Sequence, residues 1–272
     1  MRLGQAHNGA AVVPVVERDG HLLPIGGAGS LLEVIASGAD PGRLGPALQP
    51  PCPGPLTAPL RPGKIVAIGL NYLDHIREAG VEQPDEPVIF SKWPSCVVGP
   101  GEPIEIPTAL TERVDWEVEL AVVVGRRARR VTAADALDCV FGYTAANDVS
   151  ARDLQFGDGQ WVRGKSLDTF CPLGPVICTP DEIGDPQDLA LTTRVNGEVF
   201  QDSNTSEMLF GVAELLAFCS EAFTLEPGDI LLTGTPWGCG EFLDPKRSLH
   251  PGDTVEVEIA GIGVLSNPVT GV

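Results

Sequence analysis

Three carboxylates, Asp115, Glu117 and Glu119, stand at alternate positions in the run Val114-Asp115-Trp116-Glu117-Val118-Glu119-Leu120. The intervening residues are apolar and Ala121-Val122-Val123-Val124 follows, so the segment is expected to be a strand with one face in the core. A repeat of two places the three acids together on the other face, with neighbours ~7 Å apart. Each ionised pair then repels by ~2 kcal/mol at an effective dielectric of about 20. A strand bears such charge on a well-solvated surface, or where a cation gathers it. A bare E-x-E is more often a solvated acidic edge, so its meaning depends on the rest of the chain.

At 272 residues, the chain can bury a sizeable core in one large domain or two. Its 18 Lys+Arg face 37 Asp+Glu, a formal net charge of −19, which argues against nucleic acid and against an anionic membrane surface. An anionic substrate would need local positive charge, from a metal and from buried Lys or Arg. The cluster Arg126-Arg127-Ala128-Arg129-Arg130 has no interleaved aromatics and is expected to be a solvated turn after the 117–124 strand. The cysteines Cys52, Cys96, Cys139, Cys171, Cys178, Cys219 and Cys239 are odd in number and form no C-x-x-C, the pattern of reduced thiols. Met1 to His7 lack an apolar signal core, and no apolar run reaches about 18 residues. The expectation is a cytoplasmic protein.

Two parts are expected. In the first, residues 1–60, Glu17-Arg18-Asp19-Gly20 is a hairpin signal between two apolar runs. Ser30 and Glu33 then make a capping box ahead of a short helix ending near Gly38. Eight of the 25 prolines fall between Pro41 and Pro62, marking an irregular connector, and so small a unit should pack on the main body. The second part, 61–272, is rich in strands and turns. Arg194-Val195-Asn196-Gly197-Glu198-Val199 signals a type I′ hairpin. An amphipathic helix is expected from Glu207 to about Phe218, capped by Thr205 or Ser206. Two copies of L-x-P-G-D, at 225–229 and 249–253, should each introduce a strand. The fold class is therefore α+β, rich in β structure with few helices, and not βαβ winding.

Four further motifs flank the acidic run: Gly69-Leu70-Asn71-Tyr72-Leu73-Asp74-His75-Ile76-Arg77-Glu78, Tyr143 to Gln155, Arg163 to Pro175, and Gly228 to Pro236. In this order and spacing they resemble the fumarylacetoacetate hydrolase family, specifically its smaller members, over roughly residues 64 to 268. That resemblance implies a mixed β-roll or sandwich catalytic domain with a small β-containing N-terminal unit. It also implies a homodimer and a small 2-oxo acid substrate.

Residue by residue, the resemblance makes Glu117, Glu119 and Asp148 the metal ligands. Three hard oxygen donors suit Mg²⁺, Mn²⁺ or Ca²⁺ better than zinc, and leave about three octahedral positions open. Asp115 is not a family ligand and is expected to be a hydrogen-bonded acid behind them. Lys165 matches the lysine that approaches the substrate; Arg152, Gln155 and Thr235 match positions that contact it. Arg152 is a planar fork suited to a carboxylate, and pairing with Asp153 or Asp148 is the alternative use. His75 and Glu78, three apart on a short helix, match a water-activating pair on a lid, and Pro84 and Pro87 close the loop after it.

The implied lead reaction is metal-dependent hydrolysis of an acylpyruvate C–C bond. The same electron sink supports isomerisation or decarboxylation of a related dioic acid, and the ligands do not choose among the three. Gly159 to Ser166 also fits the phosphate-loop pattern GxxxxGK[ST]. That pattern needs a preceding strand and a following helix, and the polar Asp153–Asp158 before it and Pro172 after it speak against both. A non-catalytic binding protein on the same fold is the remaining rival. Trp237 is the departure expected to narrow or reshape the pocket, since a small residue usually follows Thr-Pro in the family.

Overall fold

A computed structural model describes residues 1–38 and 50–272. The fold is α+β and sheet-rich. An eleven-stranded sheet runs in the order His21–Pro24, Ala11–Arg18, Arg2–Asn8, Cys171–Cys178, Val140–Asn147, Val118–Val124, Ile230–Leu232, Ile65–Gly69, Val88–Lys92, with two short strands paired off this path. A five-stranded sheet, Glu198–Asn204, Ala190–Val195, Thr254–Ile259, Gly263–Gly271 and Ile104–Ile106, forms a second body of β structure.

Strand Val118–Val124 is the hub. Its β-branched residues fill a pleated surface that is covered on both sides. Val118, Leu120, Val122 and Val124 enter one core cluster, while Ala121 and Val123 enter the other. Both faces are therefore buried, one more than the single core face expected, and the solvated edge is the alternative that falls away. The acidic run is also not one strand. Val114–Asp115 pairs with Ser150–Ala151 in a separate two-stranded sheet, and the main strand begins at Val118, opposite Asn147. Trp116 interrupts it, fully buried and donating its indole N–H to the Gly238 carbonyl at 3.1 Å.

The N-terminal strands are continuous with the main sheet. Arg2 and Leu3 pair with Cys178 and Ile177. The hairpin turns on Asp19 and Gly20, both at positive φ, as a type I′ turn requires. Ser30 caps helix Leu31–Ala36 as expected, while the Glu33 carboxylate reaches back to the Gly29 N–H and not to Ser30. The start of the proline-rich connector lies outside the described residues.

Asn196 and Gly197 form the expected turn between Ala190–Val195 and Glu198–Asn204. Both L-x-P-G-D copies introduce strands, and in each the aspartate accepts an N–H from three residues earlier, Glu226 or His250. The long helix begins later than expected, at Val212–Ala222. Thr205–Glu207 form a 3₁₀ turn, the Leu209 N–H bonds to the Asn71 carbonyl, and Glu214 accepts the Gly211 N–H to cap the helix there. The arginine cluster is a turn as expected; Arg129 donates to the Ser220 and Glu221 carbonyls near the end of that helix. All seven cysteines are free and buried.

Candidate metal centre

The antiparallel register brings the start of Val118–Val124 beside the end of Val140–Asn147, so Glu117 and Glu119 meet Asp148. Asn147 fixes the turn by accepting the Glu117 N–H at 3.0 Å, and the Asp148 N–H donates to the Glu117 carbonyl at 2.9 Å. One oxygen of each of the three carboxylates then lies within 4.8 Å of the others, and all three side chains are buried.

Cations surround this triad. Lys165 donates to Glu117 at 2.6 Å and to Asp148 at 2.8 Å. Arg152 donates through Nη2 to Glu117 at 2.6 Å and grips Asp115 through Nε and Nη2 at 2.7 and 3.1 Å. It pairs with neither Asp153 nor Asp148; Nη1 donates to the Gln155 side-chain carbonyl at 3.0 Å, and the guanidinium stands 5.8 Å from the centroid of the Phe242 ring. Asp115 holds Arg152 and also accepts the Glu241 N–H at 2.8 Å, the supporting part expected of it.

Burial opposes the charged form of Glu117, yet Lys165 and Arg152 outweigh it and bring its pKa down to about 2. Glu119 goes the other way. Burial and then the charges of Asp148 and Glu117 push its pKa well up, with Lys165 offsetting only part. Among the described residues Glu119 has no ion pair, and the Gly234 N–H at 2.8 Å is its hydrogen-bond partner. Gly234 has φ 92°, and a Cβ there would meet the Asn71 Cβ at 2.9 Å, so only glycine brings that N–H so close. A buried carboxylate between two others and lacking a cation of its own fits a divalent ion. The all-oxygen donors suit a hard one such as Mg²⁺ or Mn²⁺.

The His75–Glu78 pair is formed on helix Leu73–Ala79, with Nδ1 to Oε2 at 3.0 Å and the imidazole buried. Asn71 anchors that helix by bonding to the Phe210 N–H and to the Phe210 and Thr233 carbonyls. Phe242 meets the imidazole edge-on at 5.1 Å between centroids. His75, Glu117, Glu119, Arg152, Gln155, Lys165 and Thr235 line one cavity of about 220 Å³, walled by Leu70, Phe90, Phe156, Trp161 and Phe242. The Thr235 hydroxyl donates to the Val118 carbonyl and accepts from Gln201, which ties this edge of the cavity to the central strand.

With that geometry in view, residues 64–270 match the family described as fumarylacetoacetate (FAA) hydrolase C-terminal. The chain belongs to the fumarylacetoacetate hydrolase family. It is 52% identical over 211 residues to the mitochondrial oxaloacetate tautomerase of Bos taurus, covering 77% of this chain and 67% of that protein. Among solved structures, the fumarylacetoacetate hydrolase of Exiguobacterium antarcticum aligns with a TM-score of 0.89 at 41% identity over the whole of both chains. The 5-carboxymethyl-2-hydroxymuconate delta-isomerase of Mycobacterium smegmatis aligns at 0.82 and 41% identity, over 100% of this chain and 99% of that one. The tautomerase relatives are named as mitochondrial, in contrast to the cytoplasmic expectation; among the described residues no helix is long and apolar enough to cross a membrane.

Several residues depart from the sequence reading. Lys92, absent from it, is fully buried at the end of strand Val88–Lys92 and bridges Asp148 to the Lys165 carbonyl. Its only sequence signal is a lysine closing an apolar strand. Trp161 and Phe90 wall the cavity without having been singled out. Trp237 is outside that lining, about two-fifths exposed, with its indole N–H on the Asp202 carbonyl at 3.2 Å, so it does not narrow the pocket. The phosphate-loop match is also set aside: helix Arg152–Asp158, and not a strand, precedes it.

Proposed function

We propose that the chain is a divalent-metal-dependent tautomerase or isomerase of a small 2-oxo diacid, with oxaloacetate as the first candidate. The observation that carries this reading is the convergence on one small cavity of Glu117, Glu119, Lys165 and His75, with Asp148 and Glu78 directly behind them. The names of the bovine and mycobacterial proteins favour proton transfer over the hydrolysis first inferred from the motifs.

When bound, a divalent cation supplies a Lewis acid for the oxygens of a 2-oxo acid head. His75 takes a proton from the carbon next to the ketone, and Glu78, hydrogen-bonded to Nδ1, sets the tautomer and steadies the imidazolium. The displaced electron pair moves onto the ketone oxygen, where the Lys165 ammonium offsets the growing charge. The His75 imidazolium gives that proton up to the oxygen, directly or through water, which completes the enol and returns the base, and the steps reverse for ketonisation. Lys165 is suited to remain an ammonium, because Asp148 and Glu117 outweigh its burial and raise its pKa. Phe90, Phe156 and Phe242 give the cavity an apolar wall, and the low polarity beside it strengthens these interactions. Arg152 and Gln155, which line the cavity, are assigned to the substrate's carboxylate end, where Arg152 would exchange part of its grip on Glu117 for the substrate.

The second reading, C–C hydrolysis of an acylpyruvate with His75 activating water, draws on the Exiguobacterium structure and its name. One panel separates the two. Enol oxaloacetate, acetylpyruvate and fumarylpyruvate are each followed by loss of enol or diketone absorbance, with Mg²⁺ or Mn²⁺ and then EDTA. Metal-dependent ketonisation of oxaloacetate without pyruvate release supports the tautomerase. Pyruvate released only from the acylpyruvates supports the hydrolase and rejects the primary reading.

A further inference from the structure

Beside the His75–Glu78 pair sits a thiol. Cys239 is fully buried, and a ring nitrogen of His75, a carboxylate oxygen of Glu78 and the Cys239 Sγ all lie within 4.8 Å of one another. This donor set differs in kind from the neighbouring triad. Three carboxylates suit a hard cation, whereas imidazole, thiolate and carboxylate are ligands of zinc and other thiophilic divalent ions. We propose that His75, Glu78 and Cys239 form a second cation site, selective for thiophilic ions such as Zn²⁺ and Cd²⁺, whose occupation removes the imidazole from catalysis. The site itself stands on the donor geometry; its inhibitory effect rests on the reading of His75 as the base.

The geometry is close to what such an ion needs. Bonds of about 2.0 to 2.3 Å place neighbouring donors of a tetrahedral site roughly 3.5 Å apart. His75 Nδ1 and Glu78 Oε2 are 3.0 Å apart, and the Cys239 Sγ lies within 4.8 Å of a ring nitrogen and a carboxylate oxygen of that pair. The backbone that presents it is fixed. Gly238 has φ 96°, and a Cβ there would meet the Phe200 carbonyl oxygen at 2.1 Å, so the chain passes where only glycine fits. The Gly238 N–H also donates to Glu78 Oε1 at 2.9 Å, tying the residue before Cys239 to the carboxylate of the same site.

The sulfur has little to give up. Its contacts are the Pro236 carbonyl and the Gln201 amide, both at the long distance of 3.7 Å. Burial, then the nearby Glu117 carboxylate, holds the thiol well above its usual range. Binding therefore exchanges the thiol proton for the ion. Three protein ligands leave the fourth tetrahedral position to water, and the imidazole, once a ligand, has no free pair with which to accept a substrate proton.

Cadmium is the probe, because a cadmium–thiolate bond has a charge-transfer absorption that carboxylate ligation lacks. Titrated into the wild-type protein in excess Mg²⁺, Cd²⁺ should raise that band with a stoichiometric end point. In C239A, and in C239V as a bulkier control, the band should vanish. The zinc concentration giving half-inhibition, read against each variant's own zinc-free rate, should rise roughly a hundredfold or more, since even a partner outside the ligand set costs 10–100-fold. E119Q, which alters only the hard site, should keep the band. No band in the wild type, or a band that persists in C239A through another of the thiols, overturns the site. A band confined to the wild type, with zinc inhibition unchanged in C239A, upholds the site and overturns the inhibitory role assigned through His75.

Discussion

The sequence Glu-Val-Glu followed by a branched aliphatic residue occurs at Glu117–Leu120 and again at Glu256–Ile259. The second copy obeys simple alternation. Val255, Val257 and Ile259 are buried, Glu256 and Glu258 are half-exposed, and Glu258 meets Arg194 on the neighbouring strand at 2.7 Å. In the first copy both glutamates are buried with their valine, and Arg152 and Lys165 close on Glu117. Local pattern is the same in the two; what lies over the acidic face is not. Strand Thr254–Ile259 leaves that face to water, while the short helices carrying Arg152 and Lys165 cover the face at Glu117, and Lys92, from the far strand Val88–Lys92, holds the neighbouring Asp148. Burial turns a pair of solvated charges into part of a cluster suited to a cation.

The contrast can be tested by altering the two copies in parallel. The largest effect is expected from E119Q, which should lower metal-dependent turnover by more than about a hundredfold, whereas E258Q should leave it unchanged. Comparable losses in both would erase the distinction. H75A should lower the same rate by roughly 10²- to 10⁴-fold while metal affinity is retained, which a parallel Mn²⁺ titration checks. Next in size is D115A. It leaves the buried Arg152 guanidinium with Glu117 as its one carboxylate partner, and urea denaturation should show a loss of about 2–3 kcal/mol. The Arg194–Glu258 pair is about one-third exposed on both sides, so R194A should cost no more than about 1 kcal/mol in the same measurement. A larger loss there would mean that the exposed copy also carries structure.

The motifs made much of the centre legible before any coordinates. Glu117, Glu119, Asp148, Lys165, Arg152 and the His75–Glu78 pair do converge, and the turns at Asp19-Gly20 and Asn196-Gly197 form where their residues require positive φ. The failures share a cause. Lys92 reaches Asp148 across 56 residues of chain, a contact that no local pattern encodes. The break at Trp116 comes from its burial under Gly238, so alternation lost phase where the tertiary contact took over. The helix expected at Glu207 starts at Val212 because Leu209 bonds instead to Asn71. Trp237 was assigned to the pocket from its place in the motif, yet its side chain turns to the Asp202 carbonyl.

The central claim is that Glu117, Glu119 and Asp148 gather around a divalent cation. Its most direct test is a Mn²⁺ titration followed by electron paramagnetic resonance on the wild type, E119Q and E258Q. The account predicts one Mn²⁺ bound per chain in the wild type and in E258Q, displaced by Mg²⁺, and binding weakened beyond detection at equal concentrations in E119Q. Equal binding by all three proteins would contradict it and place the ion elsewhere.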